Sequence, residues 1–358
     1  MNIVNHRREL HKIPELEFDL PKTRKYLLNI IKQYKCDVLE DVESGIVVTI
    51  KGTEPGKTVA IRADMDSNKV IEDNEIEYKS THHGQMHSCG HDGHMAMALG
   101  VLDYYATHDF KGTVKVIFQP AEENCGGAYP MIQHGIIDDV DYIFAYHIWP
   151  DVDEFKFGVT AGPIMSAADA FRVKIVGKGG HSAMPEKAIN PVDVINEICN
   201  RFRPLQEKDC KLVVTQIHVG DVSNVIAANG DMAFTLRTKD MKLREEILEN
   251  IEYTVETTCK EMNATCIYNH ERAYPVTIND EGVVERLRNI LDIQEMQYPS
   301  MASEDFSYFL QKIPGAFIWL GAKRNENYSL HHPKFNFNED ILTYGANHMI
   351  KIIQEFLK

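Results

Sequence analysis

Runs of β-branched and apolar residues alternate with one helical pattern in the first half of the chain. The runs that predict strands are residues 45–50, 58–62, 113–118 and 142–146. Residues 54–56, Glu-Pro-Gly, have the composition of a turn between the first two runs. Apolar positions over residues 95–101 predict a helix that Asp92 could cap. This strand–helix–strand order predicts a mainly parallel central sheet flanked by helices.

The pattern of the chain changes near residue 162. Further on, the sequence contains strand-like runs at 171–176, 212–219 and 232–236 and helical patterns at 192–203 and 243–262. This β-α-β-β-α-β-like order predicts a small α+β module. After the module come a helix over 282–291, a strand over 316–320 and a closing helix over about 340–357. The sequence therefore predicts an α/β domain formed by residues 1–166 and 275–358, with residues 167–274 inserted into it.

Composition narrows the class of protein. The 358 residues carry a formal net charge of -15 at pH 7, which argues against a nucleic-acid partner or an anionic membrane surface. The chain has no run of about 18 or more apolar residues, so we expect no transmembrane helix. Its seven cysteines are odd in number and irregularly spaced. That pattern fits free thiols in a reducing cytoplasm better than a disulfide framework, so we expect a cytoplasmic protein.

Potential metal ligands are concentrated in residues 87–94, His-Ser-Cys-Gly-His-Asp-Gly-His. Nitrogen, sulfur and oxygen donors at this density suit a borderline-soft divalent metal. Cys89 and His91 lie two residues apart in a glycine-containing loop at a helix entrance, so both can face one point. A buried cysteine without function is the alternative. We interpret His87 and His94 as side chains that orient the ligands or pack beside them.

A second candidate motif, Glu122 and Glu123, follows the predicted strand 113–118. Adjacent carboxylates are costly to bury unless cations lie nearby or one of them holds a proton. In a dinuclear site one glutamate could bind metal while its neighbour takes a proton from the attacking water. A solvated acidic loop is the alternative, and the metal-binding motif upstream favours catalysis over it.

Further candidates lie at other strand ends. His147 ends the apolar run 142–146, and His331 supplies a candidate ligand near the C-terminus. Asp64 and Asp66 follow another predicted strand, where they could orient a ligand imidazole. An acidic turn that ends the strand is the alternative for this pair.

Taken in order, these motifs resemble the dinuclear metallopeptidase family of aminoacylases and glutamate carboxypeptidases. The resemblance is to its amidohydrolase branch of hippurate hydrolases, indoleacetyl-amino-acid hydrolases and N-acetyldiaminopimelate deacetylases. It covers nearly the whole chain, and its motifs are residues 8–15, 86–94, 120–123, 147–150, 180–185, 303–306 and 330–335. The resemblance implies a catalytic domain with a central sheet and an inserted lid, residues 167–274, that usually dimerises.

The resemblance also implies two divalent metal ions, Zn²⁺ or Mn²⁺, with Co²⁺ or Ni²⁺ as further possibilities. The implied ligands are Cys89, which would bridge the two ions, and His91, Glu123, His147 and His331. Glu122 would be the general base, and Asp64 would steady the site. In the lid, His181 would donate to the developing oxyanion, while Asn224 and Arg237 would bind substrate, the arginine through a carboxylate.

Three stretches depart from the pattern of this branch. Cys125 lies in a loop that is usually plain and glycine-rich, and residues 224–227 lack the usual final proline. Residues 66–68 are Asp-Ser-Asn, where Asp-Ala-Leu or Asp-Gly-Leu is common. These differences leave the metal chemistry intact and the identity of the substrate open.

The activity implied is hydrolysis of the amide bond of N-acyl-L-amino acids, of the hippurate type. An N-acetyldiaminopimelate deacetylase of lysine biosynthesis is the first alternative. A dipeptidase or carboxypeptidase, and a metal-binding protein without activity, are further alternatives. We expect a small-molecule substrate, no nucleic-acid or membrane partner, and a homodimer or higher oligomer formed through the lid.

Overall fold

The computed structural model describes residues 1–205, 210–295, 300–326 and 328–358. Its α-helices are α1 (Ile3–His11), α2 (Pro21–Ile31), α3 (His91–Thr107), α4 (Ala128–Gln133), α5 (Pro191–Phe202), α6 (Met241–Glu261), α7 (Glu281–Leu287), α8 (Ser307–Leu310) and α9 (Asp340–Phe356). Short 3₁₀-helices cover Pro185–Lys187 and Arg203–Leu205. Among these helices, none combines the length and the apolar character that a membrane crossing requires.

The strands follow the same order along the chain. They are β1 (Asp37–Val42), β2 (Gly45–Lys51), β3 (Glu54–Asp64), β4 (Lys111–Gln119), β5 (Tyr142–Asp153), β6 (Phe157–Gly158), β7 (Gly162–Met165), β8 (Ala167–Val176), β9 (Gly180–His181), β10 (Cys210–Val219), β11 (Val225–Ile226), β12 (Asn229–Thr238), β13 (Thr265–Arg272), β14 (Thr277–Asn279), β15 (Ile293–Gln294) and β16 (Gly315–Lys323). The chain folds into two compact units. In the described residues, the first unit contains 1–164, 277–295, 305–326 and 328–358, and the second contains 165–205, 210–276 and 300–304.

The first unit is built around one large mixed sheet. Within the described part of the chain, its strand order is β1-β2-β4-β3-β5-β16-β6-β15. The four strands β4, β3, β5 and β16 run parallel to one another at its centre. Consecutive residues of these strands are buried, so elements cover both faces of the sheet. The α/β class predicted from the sequence is confirmed.

The predicted turn at residues 54–56 is wrong. Strand β3 already begins at Glu54, and its register with β4 shifts between Glu54 and Thr58. Strand β4 lies between β2 and β3, antiparallel to the first and parallel to the second. Strands β2 and β3 are therefore not neighbours in the sheet, although they follow each other in the chain.

The second unit contains a four-stranded antiparallel sheet in the order β10-β12-β8-β13. Along the chain its main elements follow the order β8, α5, β10, β12, α6 and β13. Apolar residues of both helices pack with inward-facing residues of the strands, such as Phe171, Ile198, Phe234 and Ile251. The α+β module predicted from the alternating pattern is present, with β13 as the last strand, which the sequence pattern had not located.

Candidate metal centre

Titratable side chains from several elements meet at one edge of the first unit's sheet. Asp64 is the last residue of β3, Glu122 and Glu123 follow β4, and His147 lies in β5. Since the carboxyl ends of parallel strands meet at the same edge, side chains there lie close together. His91, the first residue of α3, joins them.

The loop before α3 brings Cys89 and His91 to the same place. Gly90 has a φ of 88°, a left-handed conformation that glycine adopts without strain. The helix begins directly after it, at His91. The prediction that Asp92 caps this helix is wrong, because Asp92 lies inside the first turn. There its Oδ1 accepts a hydrogen bond from the N–H of Gly93. Its Oδ2 accepts hydrogen bonds from the side chains of Arg7 and His11.

Cys89 belongs to two groups of donor atoms. Within each group the ligand atoms lie within 4.8 Å of one another; the groups are Cys89 with His91 and His147, and Cys89 with Glu123 and His331. The Sγ atom of Cys89 is 3.4 Å from Nε2 of His147. Glu123 lies 3.7 Å from His91 Nε2 through Oε1 and 3.3 Å from His331 Nε2 through Oε2. The structure thus brings the five ligand candidates together around a shared thiol.

In His91 and His147, a hydrogen bond made by Nδ1 determines that Nε2 is the ring nitrogen available to a metal ion. His91 donates through Nδ1 to the carbonyl oxygen of Asp66 at 2.9 Å, and His147 donates through Nδ1 to that of Ile148 at 2.8 Å. A carbonyl oxygen only accepts, so Nε2 of each neutral ring carries the lone pair. Burial lowers the pKa of His91 and lowers that of His147 further, which keeps both lone pairs free of protons.

His94 uses both of its ring nitrogens inside the protein. Its Nε2 accepts the N–H of Ile148 at 2.9 Å, so Nδ1 carries the proton and donates to Asp64 Oδ1 at 2.6 Å. Asp64 also accepts from Nη1 of Arg62 through Oδ2 at 2.6 Å. Burial opposes ionisation of Asp64, yet the neighbouring His91 and His94 rings and the charge of Arg62 lower its pKa well below the usual range. These bonds give His94 and Asp64 supporting positions beside the ligands.

Asp66 holds the two glutamates at the site. Its Oδ1 accepts the N–H of Glu122 at 2.9 Å, and its Oδ2 accepts the N–H of Glu123 at 3.1 Å. Burial and then the charge of Glu123 raise the pKa of Asp66 well above its usual range. Burial opposes ionisation of Glu123 as well, but its hydrogen bond with His331 and the neighbouring His91 ring lower its pKa to about 2.

The donor set fits a divalent cation. His91 Nε2 and Glu123 Oε1 are buried and have no hydrogen-bond partner among the described residues, which is costly unless something binds them. Burial, together with the charges of Glu123, Glu122 and Asp64, raises the pKa of the Cys89 thiol well above its usual range. A cation would offset that repulsion, and thiolate, imidazole and carboxylate are ligands that Zn²⁺ and related metals take.

Sequence reasoning missed a buried charged group behind the site. Arg62 donates to Gln119 Oε1 through Nε and to Asp305 Oδ1 through Nη2, each at 2.8 Å, besides its bond to Asp64. Asp305 Oδ2 accepts from Gln119 Nε2 at 2.7 Å and from the N–H of Ala128 at 2.9 Å. The signal in the sequence was an arginine inside an otherwise apolar strand, which requires a buried anionic partner.

The candidate residues divide between the two units. The five ligand candidates, Glu122 and Asp64 lie together in the first unit, whereas His181, Asn224 and Arg237 belong to the second. His181 is exposed in β9, and its Nδ1 accepts the N–H of Ala183 at 3.1 Å, so its Nε2 carries a proton. Asn224 accepts the N–H of Ser182 through its carbonyl at 3.2 Å. Arg237 is half-buried in β12, and burial lowers its pKa.

A buried cluster of thiol, imidazole and carboxylate donors with a second glutamate beside it defines the centre of a metal-dependent hydrolase. The chain belongs to Peptidase family M20/M25/M40, whose family model matches residues 60–355. The family resemblance that the sequence motifs indicated is confirmed.

Individual relatives cover nearly the full length of the chain. Thermostable carboxypeptidase 2 of Saccharolobus solfataricus is 36% identical, over 96% of this chain and 92% of that protein. N-acetyldiaminopimelate deacetylase of Bacillus subtilis is 32% identical, over 97% of this chain and 96% of that protein. Among solved structures, the YXEP protein of Bacillus subtilis, a dinuclear metal-binding peptidase, has a TM-score of 0.85 at 30% identity, over 99% of this chain and 97% of that chain. The protein is therefore a hydrolase that acts on amide bonds.

Proposed function

We propose that the protein hydrolyses the amide bond between an acyl group and an amino acid that keeps its α-carboxylate free. The observation that carries the proposal is the pair of donor groups that share Cys89, with Glu122 beside them. Two relatives, named a carboxypeptidase and a deacetylase of an N-acetyl amino acid, support this class of substrate. We further propose that it works in a reducing cytoplasm, where the Cys89 thiol stays reduced.

The proposed cofactors are two divalent ions, one held by Cys89, His91 and His147 and the other by Cys89, Glu123 and His331. When bound there, such ions polarise an amide carbonyl and activate a water for attack. A thiolate with imidazoles favours Zn²⁺ because both are soft or borderline ligands, with Mn²⁺, Co²⁺ and Ni²⁺ as alternatives.

Glu122 is the proposed general base. It takes a proton from the attacking water and delivers it to the leaving nitrogen. The bond from its N–H to Asp66 and its burial, with 6% of its surface exposed, restrict where its carboxylate can lie. Asp64 steadies the site by holding His94, whose ring packs 5.4 Å from that of His91.

Residues of the second unit are proposed to bind and stabilise the substrate. The proton on Nε2 of His181 allows that ring to donate to the oxygen on which negative charge develops. Asn224 would bind substrate, and Arg237 would pair with the α-carboxylate, since arginine binds carboxylates with two parallel hydrogen bonds. Exposed apolar residues in the same unit support a homodimer or higher oligomer formed through it: Val213, Ile217, Val222 and Val225.

Substitution of Glu122 by Gln tests the mechanism. The amide keeps the size of the side chain but cannot accept the proton, so we expect turnover to fall by a factor of about 100 to 10,000. Bound metal, measured by elemental analysis, should stay at two equivalents. Glu43→Gln, an exposed glutamate paired with His134, is the control. Unchanged turnover in Glu122→Gln would remove Glu122 as the base.

A substrate panel separates the proposed activity from its alternatives. N-acetyldiaminopimelate deacetylase is the second candidate, favoured by the relative of that name. Release of free amine should be measured with acetyl-diaminopimelate, hippurate, N-acetyl-methionine and a dipeptide, with Zn²⁺, Mn²⁺ or Co²⁺ added. A clear preference for acetyl-diaminopimelate would identify an N-acetyldiaminopimelate deacetylase, and a preference for the dipeptide would identify a peptidase. Release from none of them would count against the proposed function.

A further inference from the structure

One short loop carries both glutamates of the candidate site. Strand β4 ends at Gln119 and helix α4 begins at Ala128, so Glu122 and Glu123 lie in the connection between them. We call residues 120–127 the glutamate loop. The positions of its two ends determine what the carboxylates on it can reach.

The glutamate loop is closed tightly at its base. The N–H groups of Gly126 and Gly127 both donate to the carbonyl oxygen of Ala121, at 2.8 and 3.2 Å. A Cβ atom on Gly127 would overlap with the carbonyl oxygen of Pro120, so the two ends come closer than a larger residue allows. Ala121 has a φ of 56°, a left-handed conformation that costs free energy for a residue with a side chain. Contacts that hold the ends together must offset this strain, which lies directly before Glu122.

The carboxylate of Asp305 joins the two ends of the loop. Its Oδ2 accepts from Nε2 of Gln119 at 2.7 Å and from the N–H of Ala128 at 2.9 Å, the residues on either side of the loop. Its Oδ1 accepts from Nη2 of Arg62, a residue of β3, at 2.8 Å. Asp305 itself is fully buried. One oxygen therefore ties the loop ends to each other, and the other ties them to the central sheet.

We propose that Asp305 is a positioning residue, which closes the glutamate loop at its base and thereby fixes where Glu122 and Glu123 lie. The roles of these two glutamates as base and ligand rest on the proposed function. Hydrogen bonds to a carboxylate are about twice as strong as those between neutral groups, which suits a contact that opposes backbone strain. A reacting group displaced by about 1 Å can cost a hundredfold in rate, so the closure of the loop affects the reaction.

Amide hydrogen exchange of the metal-free full chain tests the closure of the loop independently of activity. Exchange at residues 126–128 is followed by mass spectrometry with fragmentation that resolves single residues. Asp305→Asn keeps the size of the side chain but has one acceptor oxygen in place of two, so the bonds to Arg62 and to both loop ends cannot all form. Exchange at residues 126–128 should be about 10 to 100 times faster than in the wild type, the effect of losing a hydrogen bond to a charged acceptor.

A second variant opens only one end of the loop. Gln119→Met keeps the ion pair of Arg62 and Asp305 and removes the amide that Asp305 accepts from. Exchange at residues 126–128 should rise about 3- to 10-fold, less than in Asp305→Asn, because the bond from the N–H of Ala128 remains. This variant decides the question if Asp305→Asn does not fold.

The matched control is Asp169→Asn in the second unit. Asp169 is also a buried aspartate paired with an arginine. It accepts from Arg244 at 2.8 and 2.9 Å and from Nε2 of His270 at 2.8 Å. The control variant thus breaks a comparable buried ion pair that has no bond to the glutamate loop. It should leave exchange at residues 126–128 as in the wild type.

Steady-state kinetics of the metal-loaded protein test whether the position of the loop matters for the reaction. In Asp305→Asn, kcat should fall about 10- to 100-fold while KM stays within about threefold of the wild type. A misplaced Glu122 weakens stabilisation of the transition state and leaves binding of the substrate in place, so kcat responds and KM does not.

The outcomes separate this proposal from the function on which it rests. Unchanged exchange in both Asp305→Asn and Gln119→Met would overturn the closure of the loop by Asp305. An equal rise in Asp169→Asn would overturn it too, because the loosening would then be general. Faster exchange with unchanged kcat would overturn the positioning role. A wild type that hydrolyses no substrate of the panel would overturn the proposed function instead, while the exchange rates would still decide whether Asp305 closes the loop.

Discussion

His91 and Asp92 are consecutive residues whose side chains belong to two different buried clusters. The ligand cluster contains Cys89, His91, Glu123, His147 and His331. The Asp92 cluster contains Arg7, His11, Glu72 and Asp92. Asp92 Oδ2 accepts from Arg7 Nε at 2.9 Å and from His11 Nδ1 at 2.7 Å, and His11 Nε2 lies 3.2 Å from Glu72 Oε1. In the ligand cluster, by contrast, His91 Nε2 and Glu123 Oε1 have no hydrogen-bond partner among the described residues.

Both clusters contain fully buried titratable groups, such as Asp92 in one and His91 in the other, but the two clusters differ in charge. Burial opposes ionisation of both His11 and Asp92, yet Asp92 raises the pKa of His11, while Arg7 and then His11 lower the pKa of Asp92, so the pair is ionised. In the ligand cluster, burial lowers the pKa of His91 and His147 and raises that of Cys89, so these groups stay neutral. Burial of titratable groups is therefore a poor guide to a site. Unpaired buried atoms that also converge in a group of donors are the better guide: His91 Nε2 and Glu123 Oε1 belong to such groups, whereas His87, whose ring nitrogens are also unpaired, belongs to none among the described residues.

The largest expected effect follows from removing the shared thiol. In Cys89→Ser both donor groups lose their common ligand, so we expect turnover to fall at least about a thousandfold, roughly 4 kcal/mol of transition-state stabilisation. Bound metal should fall with it, as elemental analysis would show. Cys36→Ser, a half-buried cysteine far along the chain from the cluster, should change neither. Two retained metal equivalents with full turnover in Cys89→Ser would remove Cys89 from the ligand set.

Substitution in the Asp92 cluster should lower the stability of the protein. Asp92→Asn keeps the shape of the side chain but leaves Arg7 and His11 without their shared counter-charge. Breaking a buried ion pair costs about 3 kcal/mol or more, so the free energy of unfolding of the metal-free protein should fall by that amount. The exposed pair of Arg24 and Asp41 is the control, since Asp41→Asn should cost less than about 1 kcal/mol. Urea unfolding measures both, and equal losses would contradict the comparison.

The sequence predicted the ligand cluster better than the Asp92 cluster, for a physical reason. Cys89, His91, Glu122 and Glu123 stand in short motifs at strand ends and a helix start, and the parallel sheet brings such ends to one edge. The Asp92 cluster joins α1, α3 and the segment around residue 72, which are far apart in sequence. Neither spacing nor periodicity reports pairings of that kind.

In the fold, too, the sequence predicts elements formed by consecutive residues better than the arrangement of elements that are far apart in the chain. The apolar runs predicted the central strands, but not that β4 lies between β2 and β3. Strand order depends on which apolar faces pack together across the sheet, and the pattern of one strand carries no record of its neighbour. For the same reason the motif predicts a helix cap at Asp92, since nothing in its position indicates the partners Arg7 and His11.

The pH dependence of stability should have opposite signs in the two clusters. The pKa of His11 is raised above 6.5 by Asp92 against the opposing effect of burial, so its stabilisation is complete below pH 6.5 and is lost as the pH rises through the folded-state pKa. The pKa of His91 is lowered by burial, so the unfolded chain binds the extra proton and stability is lost as the pH falls below 6.5.

Urea unfolding of the metal-free protein across this pH range tests both signs. His11→Gln should flatten the loss of stability on the alkaline side, and His91→Gln should flatten the loss on the acid side. If the two clusters titrate separately, each variant changes the free energy of unfolding on one side of pH 6.5 only and leaves its pH dependence on the other side as in the wild type. If one variant reduced the pH dependence of the free energy of unfolding on both sides, the two clusters would be coupled in their titration.

The smallest expected effect comes from a single hydroxyl at the border of the Asp92 cluster. Tyr78 Oη accepts a hydrogen bond from Arg7 Nη1 at 2.8 Å, and the same nitrogen lies 3.1 Å from Glu339 Oε1. Tyr78→Phe keeps the ring that lies under the guanidinium and removes only one of these acceptors. The free energy of unfolding should fall by about 1 kcal/mol, the usual contribution of one hydrogen bond. Since none of the hydrogen-bond partners of Arg7 is a ligand candidate, Zn²⁺ affinity should not change. Weaker binding of the second Zn²⁺ equivalent in Tyr78→Phe would show that the start of α3 transmits strain from the Asp92 cluster to the ligand cluster.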